Sequence, residues 1–267
     1  MFEIIFLGTG GGRFAMITQK RRTGGLRILS EKINLHVDPG PGALVYSLEA
    51  GLDPQQLDAI LISHSHPDHA NDAEILIEAM SRGTIKKRGI LAAAHSVLKG
   101  NDICEQSISN YHQKIPEKTI DARVGTSFNI EDDAYIQVCK AKHSDPDTIG
   151  FRFKTKDSGD FAYIPDSEYF EGISKCYSNS RLLIISVLRP SGNPWRGHMT
   201  TDDAARVVNE IRPEIAIITH FGMQIILRTP EHEAESIEKK TGVTTKAAAD
   251  GMRIFFGKNI TVGKFDK

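Results

Sequence analysis

This sequence has few cysteines, no excess of basic charge and no long apolar run. Its three cysteines are far apart and form no C-x-x-C pair: Cys104, Cys139 and Cys176. The spacing therefore predicts no disulfide framework and no zinc knuckle, and it favours a reducing compartment. A formal net charge of -1 is low for a protein that a broad electrostatic field holds on nucleic acid, although it leaves room for a local basic patch.

No hydrophobic segment approaches the roughly 20 residues that a membrane-spanning helix needs. The N-terminus, MFEIIFLGTGGGR, carries Glu3 and lacks the basic and long apolar regions of a secretory signal. We therefore expect a cytoplasmic protein without a membrane partner. With 40% hydrophobic and 25% charged residues in a chain of 267, the composition is ordinary for a globular protein, and the length fits one large domain or two small ones.

Hydrophobic patterning predicts strands first and an alternation of strands with helices later in the chain. The clearest predicted strands are residues 2–7, 26–29, 33–37, 59–62, 134–141, 149–155, 161–164, 182–187, 215–219 and 252–256. Helices are predicted from Pro41 to near Gly51 and over 72–80, 200–211 and 231–241. No helix is predicted directly after the GTGGG segment, and residues 83–130 are the least readable. This order indicates two packed sheets with helices outside.

A cluster of ligand-capable side chains follows the short strand at 59–62, in the segment ILISHSHPDHAND. It contains His64, His66, Asp68 and His69. His64 and His66 are two positions apart on an extended chain, so their side chains point to the same side. Imidazole together with carboxylate suits zinc, manganese or iron rather than calcium. A single histidine here would be better explained by a polar loop, but the six-residue pattern predicts a metal site.

Three further residues of the same kind occur where predicted strands end. His143 follows the strand at 134–141, Asp166 follows 161–164, and His220 follows 215–219. One histidine after a strand would be weak evidence. Together with the first cluster, these residues form a set that could hold two metals with a shared carboxylate.

The H-x-H-x-D-H motif followed by separate His, Asp and His residues resembles the metallo-β-lactamase superfamily. The resemblance covers nearly the whole chain and implies one α/β domain over residues 1–267. It implies an αββα sandwich of two mixed sheets with helices on the outer faces. It also implies two divalent metal ions, zinc first, with manganese or iron as alternatives. One metal would be held by His64, His66 and His143 and the other by Asp68, His69 and His220, with Asp166 bridging them.

Two acidic residues receive additional roles from the resemblance. Asp68 would bind metal and also orient a hydroxide nucleophile that two neighbouring metals can supply at neutral pH. Asp38, in INLHVDPGPG, matches the superfamily's acidic residue after an early strand and would hold a metal ligand in place by a hydrogen bond without touching the metal itself. Capping of the helix that begins near Pro41 is the alternative for Asp38. We interpret His36 as structural.

His198, in RGHMTT, resembles the H-x-T motif of the phosphodiesterase branch, which includes the tRNA 3′-processing endonuclease and a cyclic phosphodiesterase. The resemblance implies a catalytic role for His198 at the phosphate or the leaving oxygen; a surface histidine before a helix is the alternative. The opening FLGTGGGR also resembles this branch, as a tight loop at the edge of the site. The adjacent QKRR segment could contact phosphate or be a solvated charge run.

The chain also departs from both named enzymes. Only 23 positions separate His143 from Asp166, which leaves no room for a tRNA-binding arm, and the chain has no cysteine-rich zinc site. We predict a dinuclear metal-dependent hydrolase, a phosphodiesterase that acts on RNA, a nucleotide or a small cyclic phosphodiester. A lactone or thioester hydrolase and a metal-loaded binding protein are the alternatives. Small phosphodiesters or RNA are the expected partners, and a homodimer is left open.

Trp195 is the only tryptophan and lies in the turn-rich segment RPSGNPWRGH. It could stack on a base while Arg189 and Arg196 pair with phosphate. Packing of the ring against the edge of the sandwich is the equally supported alternative.

Overall fold

Two mixed β-sheets face each other and carry helices on their outer faces. The structure, a computed structural model, describes residues 1–131 and 134–263. The first sheet contains β1 (Phe2–Gly8), β2 (Thr23–Leu29), β3 (Asn34–Val37), β4 (Ala59–Ile62), β5 (Ile90–Ala94), β6 (Lys118–Ala122), β14 (Arg253–Phe256) and β15 (Ile260–Gly263). The second sheet contains β7 (Ser127–Ile130), β8 (Ala134–Lys140), β9 (Ile149–Thr155), β10 (Gly159–Ile164), β11 (Ser180–Ser186), β12 (Ile215–Thr219) and β13 (Thr245–Ala247).

Strand order gives each sheet an antiparallel part and a parallel part. The first sheet has the order β15-β14-β1-β2-β3-β4-β5-β6, and its pairs become parallel from β3 onward. The second has the order β13-β12-β11-β10-β9-β8-β7 and is parallel from β13 to β10. The expected α/β class with two mixed sheets is therefore confirmed.

Apolar side chains fill the space between the sheets and the layer under the outer helices. Phe161 of the second sheet packs against Phe2 and Phe256 of the first, at ring-centroid distances of 5.7 and 5.1 Å. A second cluster joins the outer face of the second sheet to helices through residues such as Tyr177 and Val207. Burial of aromatic and branched residues on both faces stabilises the layered arrangement.

Nine α-helices occur within the described ranges. They are α1 (Gly12–Thr18), α2 (Ala43–Glu49), α3 (Pro67–Ala70), α4 (Ala73–Met80), α5 (His95–Lys99), α6 (Ser174–Tyr177), α7 (Thr201–Ile211), α8 (Met223–Ile226) and α9 (Pro230–Thr241). The predicted capping box of α7 is present, with reciprocal bonds between Thr200 and Asp203. Gly242 ends α9 in the left-handed conformation. No described helix is long and apolar enough to cross a membrane.

Helix α1 corrects the expectation that no helix follows the GTGGG segment. It is only seven residues long, has no side-chain cap and buries Ala15 as its main apolar contact. Phe14 and Ile17 are exposed on it. A short helix without caps and with outward apolar residues carries none of the sequence signals that identify helices.

A disulfide between Cys139 and Cys176 corrects the expectation of no disulfide. The two residues are 37 positions apart and their Cα atoms lie 5.8 Å apart, within the range a disulfide requires. Cys139 is on β8 and Cys176 on α6, two elements that pack together. The sequence spacing was uninformative because tertiary packing brings these residues together. Cys104 is free.

Candidate metal centre

The candidate site lies at one edge of the two sheets, where several strands end. His64 and His66 follow β4, and Asp166 and His220 follow β10 and β12, which run parallel through β11. His143 follows β8, which points the same way as β10 because both are antiparallel to β9. The carboxyl ends of strands with a common direction meet at one edge, so residues distant in sequence converge there.

The first group of ligand-capable residues contains His64, His66, His143 and Asp166. The Nδ1 atom of His66 lies 3.1 Å from Nε2 of His64 and 3.1 Å from Nε2 of His143. One carboxylate oxygen of Asp166 is 3.8 Å from Nε2 of His143. Three imidazole nitrogens and a carboxylate thus point at a common centre.

The second group contains Asp68, His69 and His220. The Nε2 atoms of His69 and His220 are 3.0 Å apart, and Nε2 of His220 is 3.3 Å from Oδ2 of Asp68. Asp166 lies between the groups: its Oδ1 is 3.0 Å from Nδ1 of His220 and its Oδ2 is 3.7 Å from Nε2 of His69. All seven residues expected to bind metal are therefore brought together, and Asp166 contacts both groups.

Hydrogen bonds on the outer side of the imidazoles orient their inner nitrogens. Nδ1 of His143 lies 2.7 Å from the carbonyl oxygen of Gly197, which can only accept, so this nitrogen carries the proton. Nδ1 of His69 likewise donates to the Asp38 carboxylate at 2.9 Å. In both rings Nε2 is then the nitrogen that faces inward, as a metal ligand requires.

Asp38 is the centre of the buried network behind the site. Its Oδ1 accepts the backbone N–H of Ser63 at 2.7 Å, and its Oδ2 accepts the Ser63 hydroxyl at 2.7 Å and the Tyr163 hydroxyl at 2.9 Å. Because Ser63 donates its proton to Asp38, its oxygen accepts from Nδ1 of His64 at 3.0 Å. Asp38 thus orients His69 directly and His64 through Ser63, whereas α2 begins after Gly42 without a side-chain cap.

Burial and mutual charge set the protonation of the site residues. Burial lowers the pKa of His64 and His66, so both rings are neutral. Burial raises the pKa of Asp166, but the facing His220 and His198 outweigh it and hold that pKa well below its usual range. Burial lowers the pKa of His220, yet the adjacent Asp166 more than reverses this and raises it to about 10. The carboxylates therefore remain ionised at the centre.

The GTGGG loop closes one side of the site. The backbone N–H of Gly12 donates to Oδ2 of Asp68 at 2.7 Å. A Cβ atom on Gly11 would lie 2.2 Å from Nδ1 of His220, so only glycine fits there. In the adjacent QKRR segment, Arg21 donates to the carbonyl of Ala248, and Arg22 forms an ion pair with Glu49 at 2.9 Å. These arginine contacts are to the protein itself.

His198 lies beside the two groups, just before α7. Its Nδ1 is 3.4 Å from Oδ2 of Asp166, and its ring centroid is 4.7 Å from that of His143. Burial lowers the pKa of His198 to about 4, with Asp166 opposing the shift only in part. The ring is thus a neutral imidazole at the margin of the candidate centre.

The donor set fits divalent cations. Imidazole nitrogens and ionised carboxylates such as Asp68 and Asp166 are the ligands that zinc, manganese and iron take in proteins, and a bound cation would displace the proton that His220 holds at neutral pH. Two such groups joined by one carboxylate indicate a dinuclear metal site.

Comparison with known proteins agrees with this geometry. The family model of the beta-lactamase superfamily domain matches residues 33–221. The chain belongs to the metallo-β-lactamase superfamily. An uncharacterized protein of Methanocaldococcus jannaschii is 39% identical over 254 residues, which span 94% of each chain. Ribonuclease Z of Methanopyrus kandleri is 25% identical over 287 residues, 93% of this chain and 96% of that protein. The crystal structure of the metallo-beta-lactamase fold protein YhfI from Bacillus subtilis superposes with a TM-score of 0.76 at 20% identity. The match covers 98% of this chain and 99% of that one.

This superfamily member lacks the tRNA-binding arm between its His143 and Asp166 motifs. Between them the chain forms strands β9 and β10, which pair with each other in the second sheet. Only residues 156–158 connect the two strands, which leaves no room for a protruding arm. The chain is thus a metal-dependent hydrolase of this superfamily with a His/Asp metal site and without the arm.

Several residues of this superfamily site carry no signal in the sequence. Ser63 and Tyr163 donate to Asp38, and the Gly197 carbonyl accepts from His143. The fully buried Asp145 accepts from the backbone N–H and hydroxyl of Ser65, the residue between the first two histidines. Serine, tyrosine and backbone groups are too common to stand out, whereas Asp145 does carry a signal as an acidic residue two positions after His143.

Proposed function

We propose that this metal-dependent hydrolase is a dinuclear phosphodiesterase that acts on RNA, a nucleotide or a small cyclic phosphodiester. Two divalent metals, zinc in the first instance, would supply a nucleophilic hydroxide at neutral pH and neutralise negative charge on phosphate. His64, His66 and His143 would hold one metal. Asp68, His69 and His220 would hold the other, with Asp166 shared.

The position of His198 is the observation that carries the proposal. Its Nδ1 atom lies 3.4 Å from the carboxylate of Asp166, and only 12% of its side chain is exposed. Hydrolysis of a carboxylic ester or a lactone by the same metal ligands needs no additional imidazole beside Asp166. A phosphodiester presents two non-bridging oxygens and a leaving oxygen, and an imidazole beside the metals can donate to them.

The low pKa of His198 limits how it acts. At neutral pH the free protein holds a neutral ring there, because burial lowers its pKa to about 4. A bound phosphodiester brings a negative charge, which raises the pKa of a neighbouring imidazole. His198 would then donate a hydrogen bond to the phosphoryl group and pass a proton to the leaving oxygen as its bond to phosphorus breaks.

Asp68 and Asp38 support this chemistry from either side. Asp68 accepts the N–H of Gly12 through Oδ2, a contact that holds its carboxylate toward the site. Asp38 accepts from Nδ1 of His69, so Nε2 is the nitrogen of this ring that faces the metal position. The likeness to ribonuclease Z of Methanopyrus kandleri supports the choice of a phosphodiester. Without the arm, a substrate smaller than a whole tRNA is the better match.

The experiment is hydrolysis of bis(p-nitrophenyl) phosphate by metal-loaded protein, compared with His198→Ala. We expect the variant to lose about 100-fold or more of kcat, the usual contribution of a positioned acid–base group, while its metal content stays at the wild-type level. His232→Ala is the matched control because this histidine is exposed on α9. Wild-type cleavage of lactones or thioesters but of no phosphodiester would refute the proposal, and so would a fully active His198→Ala.

A further inference from the structure

Trp195 is a large aromatic side chain that the fold leaves uncovered. It is the only tryptophan of the chain, and 58% of its surface is exposed. More than half of the residue is therefore open to solvent. The residues around it, 191–196, are all exposed and, apart from Pro194, polar or glycine. The ring is thus an isolated aromatic surface among polar groups, unlike the broad apolar patch of a protein-docking face.

A tight turn connects Trp195 to the candidate centre. Trp195 and His198 form an antiparallel bridge, and the N–H of His198 donates to the carbonyl of Trp195 at 3.0 Å. Residues directly opposite in such a pair project to the same side, with Cβ atoms about 5 Å apart. Because the His198 ring is directed toward Asp166, Trp195 flanks it on the rim of the site.

Hydrogen bonds to the rest of the protein hold this turn in place. The N–H of Gly197 donates to Oε2 of Glu168 at 3.1 Å, and Oε1 of Glu168 pairs with the Lys142 ammonium at 2.6 Å. The carbonyl of Gly197 accepts from His143, a residue of the first ligand group. The backbone next to Trp195 is therefore tied to a residue of the first ligand group.

One face of the indole is already occupied. The guanidinium of Arg189 lies over the ring, 4.7 Å from its centroid, in a cation–π contact. This contact orients the ring before any ligand binds and leaves its opposite face free. A rigid aromatic face with a neighbouring cation is how proteins hold the bases of single-stranded nucleic acids and nucleotides.

We infer that Trp195 is a stacking platform for a nucleobase joined to the scissile phosphodiester, so that the substrate is a nucleotide ester rather than a small phosphodiester without a base. The inference rests on the proposed function. It assigns Trp195 a role in substrate specificity and Arg189 a role in positioning the indole. The shared chemistry is a base next to the reacting phosphate, whether in a free nucleotide or in RNA.

The lone tryptophan allows a binding test that does not depend on catalysis. Adenosine 5′-monophosphate is titrated against the protein while the fluorescence of Trp195 is followed, with ribose 5-phosphate as the ligand that has the phosphate but no base. We expect saturable quenching by the nucleotide only. Equal responses to both ligands, or no response to the nucleotide, would overturn the inference.

Specificity is measured with two diesters that share one leaving group, thymidine 5′-(p-nitrophenyl phosphate) and methyl p-nitrophenyl phosphate. Stacking on one base contributes about 1–3 kcal/mol, so Trp195→Ala should reduce the preference in kcat/KM for the thymidine ester by about 5- to 150-fold. Trp195→Phe should restore most of it. Tyr111→Ala, which removes another exposed aromatic ring, should leave the preference as in the wild type.

The outcomes separate this inference from the proposed function. If the wild type cleaves both diesters with no preference for the nucleoside, or if Trp195→Ala keeps the preference, the stacking platform is refuted and the phosphodiesterase stands. If neither diester is cleaved but the nucleotide still quenches Trp195, the phosphodiesterase is refuted and Trp195 remains a binding platform for a nucleobase. Relative kcat/KM on the thymidine ester and on short single-stranded RNA then identifies which source supplies the base.

Discussion

Replacement of Asp38 by asparagine should weaken metal binding without changing any ligand. Asp38 is 2% exposed and accepts from Ser63, Tyr163 and His69. An amide has the same size but offers one acceptor oxygen and one NH₂ group. Whichever way it turns, the NH₂ group faces a donor that the carboxylate had satisfied.

The expected consequence lies mainly in the second ligand group. If Nδ1 of His69 loses its acceptor, the imidazole is no longer held in the tautomer with a free Nε2 lone pair. Loss of such an outer hydrogen bond lowers metal affinity by about 10- to 100-fold in other metalloproteins. Leaving a buried donor unsatisfied should also lower the free energy of unfolding by about 3 kcal/mol.

Two measurements on metal-stripped protein check this prediction: competition with a chromophoric zinc chelator, and urea unfolding. Tyr163→Phe is the matched control, because it removes one donor to Asp38 at 2.9 Å but leaves the carboxylate against His69. It should cost about 1 kcal/mol of stability and keep wild-type metal affinity. An Asp38→Asn protein that binds both metals as the wild type does would refute the orienting role of Asp38.

Two further predictions concern the GTGGG loop and a buried histidine. Gly11→Ala should displace the His220 ring and lower metal content, measured by elemental analysis, whereas Gly257→Ala, whose Cβ would meet its nearest atom at 3.4 Å, should not. Burial, reinforced by Arg27, lowers the pKa of His36 from 6.5 to about 3. Between these values only the unfolded chain takes up a proton, so stability falls as pH decreases from about 6.5 toward 3, by up to about 1.4 kcal/mol per pH unit. Urea unfolding of His36→Gln should show a shallower decrease over that interval, and an unchanged slope would contradict this account.

The sequence predicts much of the fold and the position of the site because strong hydrophobic runs precede the polar residues. His143, Asp166 and His220 each follow a mostly apolar strand, which indicates where the strand ends. The capping box at Thr200 and the glycine at 242 likewise marked helix ends.

What the sequence does not predict depends on contacts between distant positions. The Cys139–Cys176 disulfide and the approach of Tyr163 to Asp38 both arise from packing of elements far apart in the chain. Within residues 83–130, strand β6 lies at a sheet edge and its burial does not alternate regularly, so its sequence lacks the hydrophobic pattern of a strand. Local pattern cannot identify such elements when tertiary context decides their structure.

The dinuclear centre is tested most directly by metal stoichiometry. Elemental analysis after reconstitution with zinc compares the wild type with His143→Ala and His220→Ala. His143 belongs to the first ligand group and His220 to the second. We predict two metal ions per wild-type chain and about one in each variant, since each substitution removes a ligand from one group only. A wild type that binds one ion or none, or variants that both retain two, would contradict the dinuclear centre.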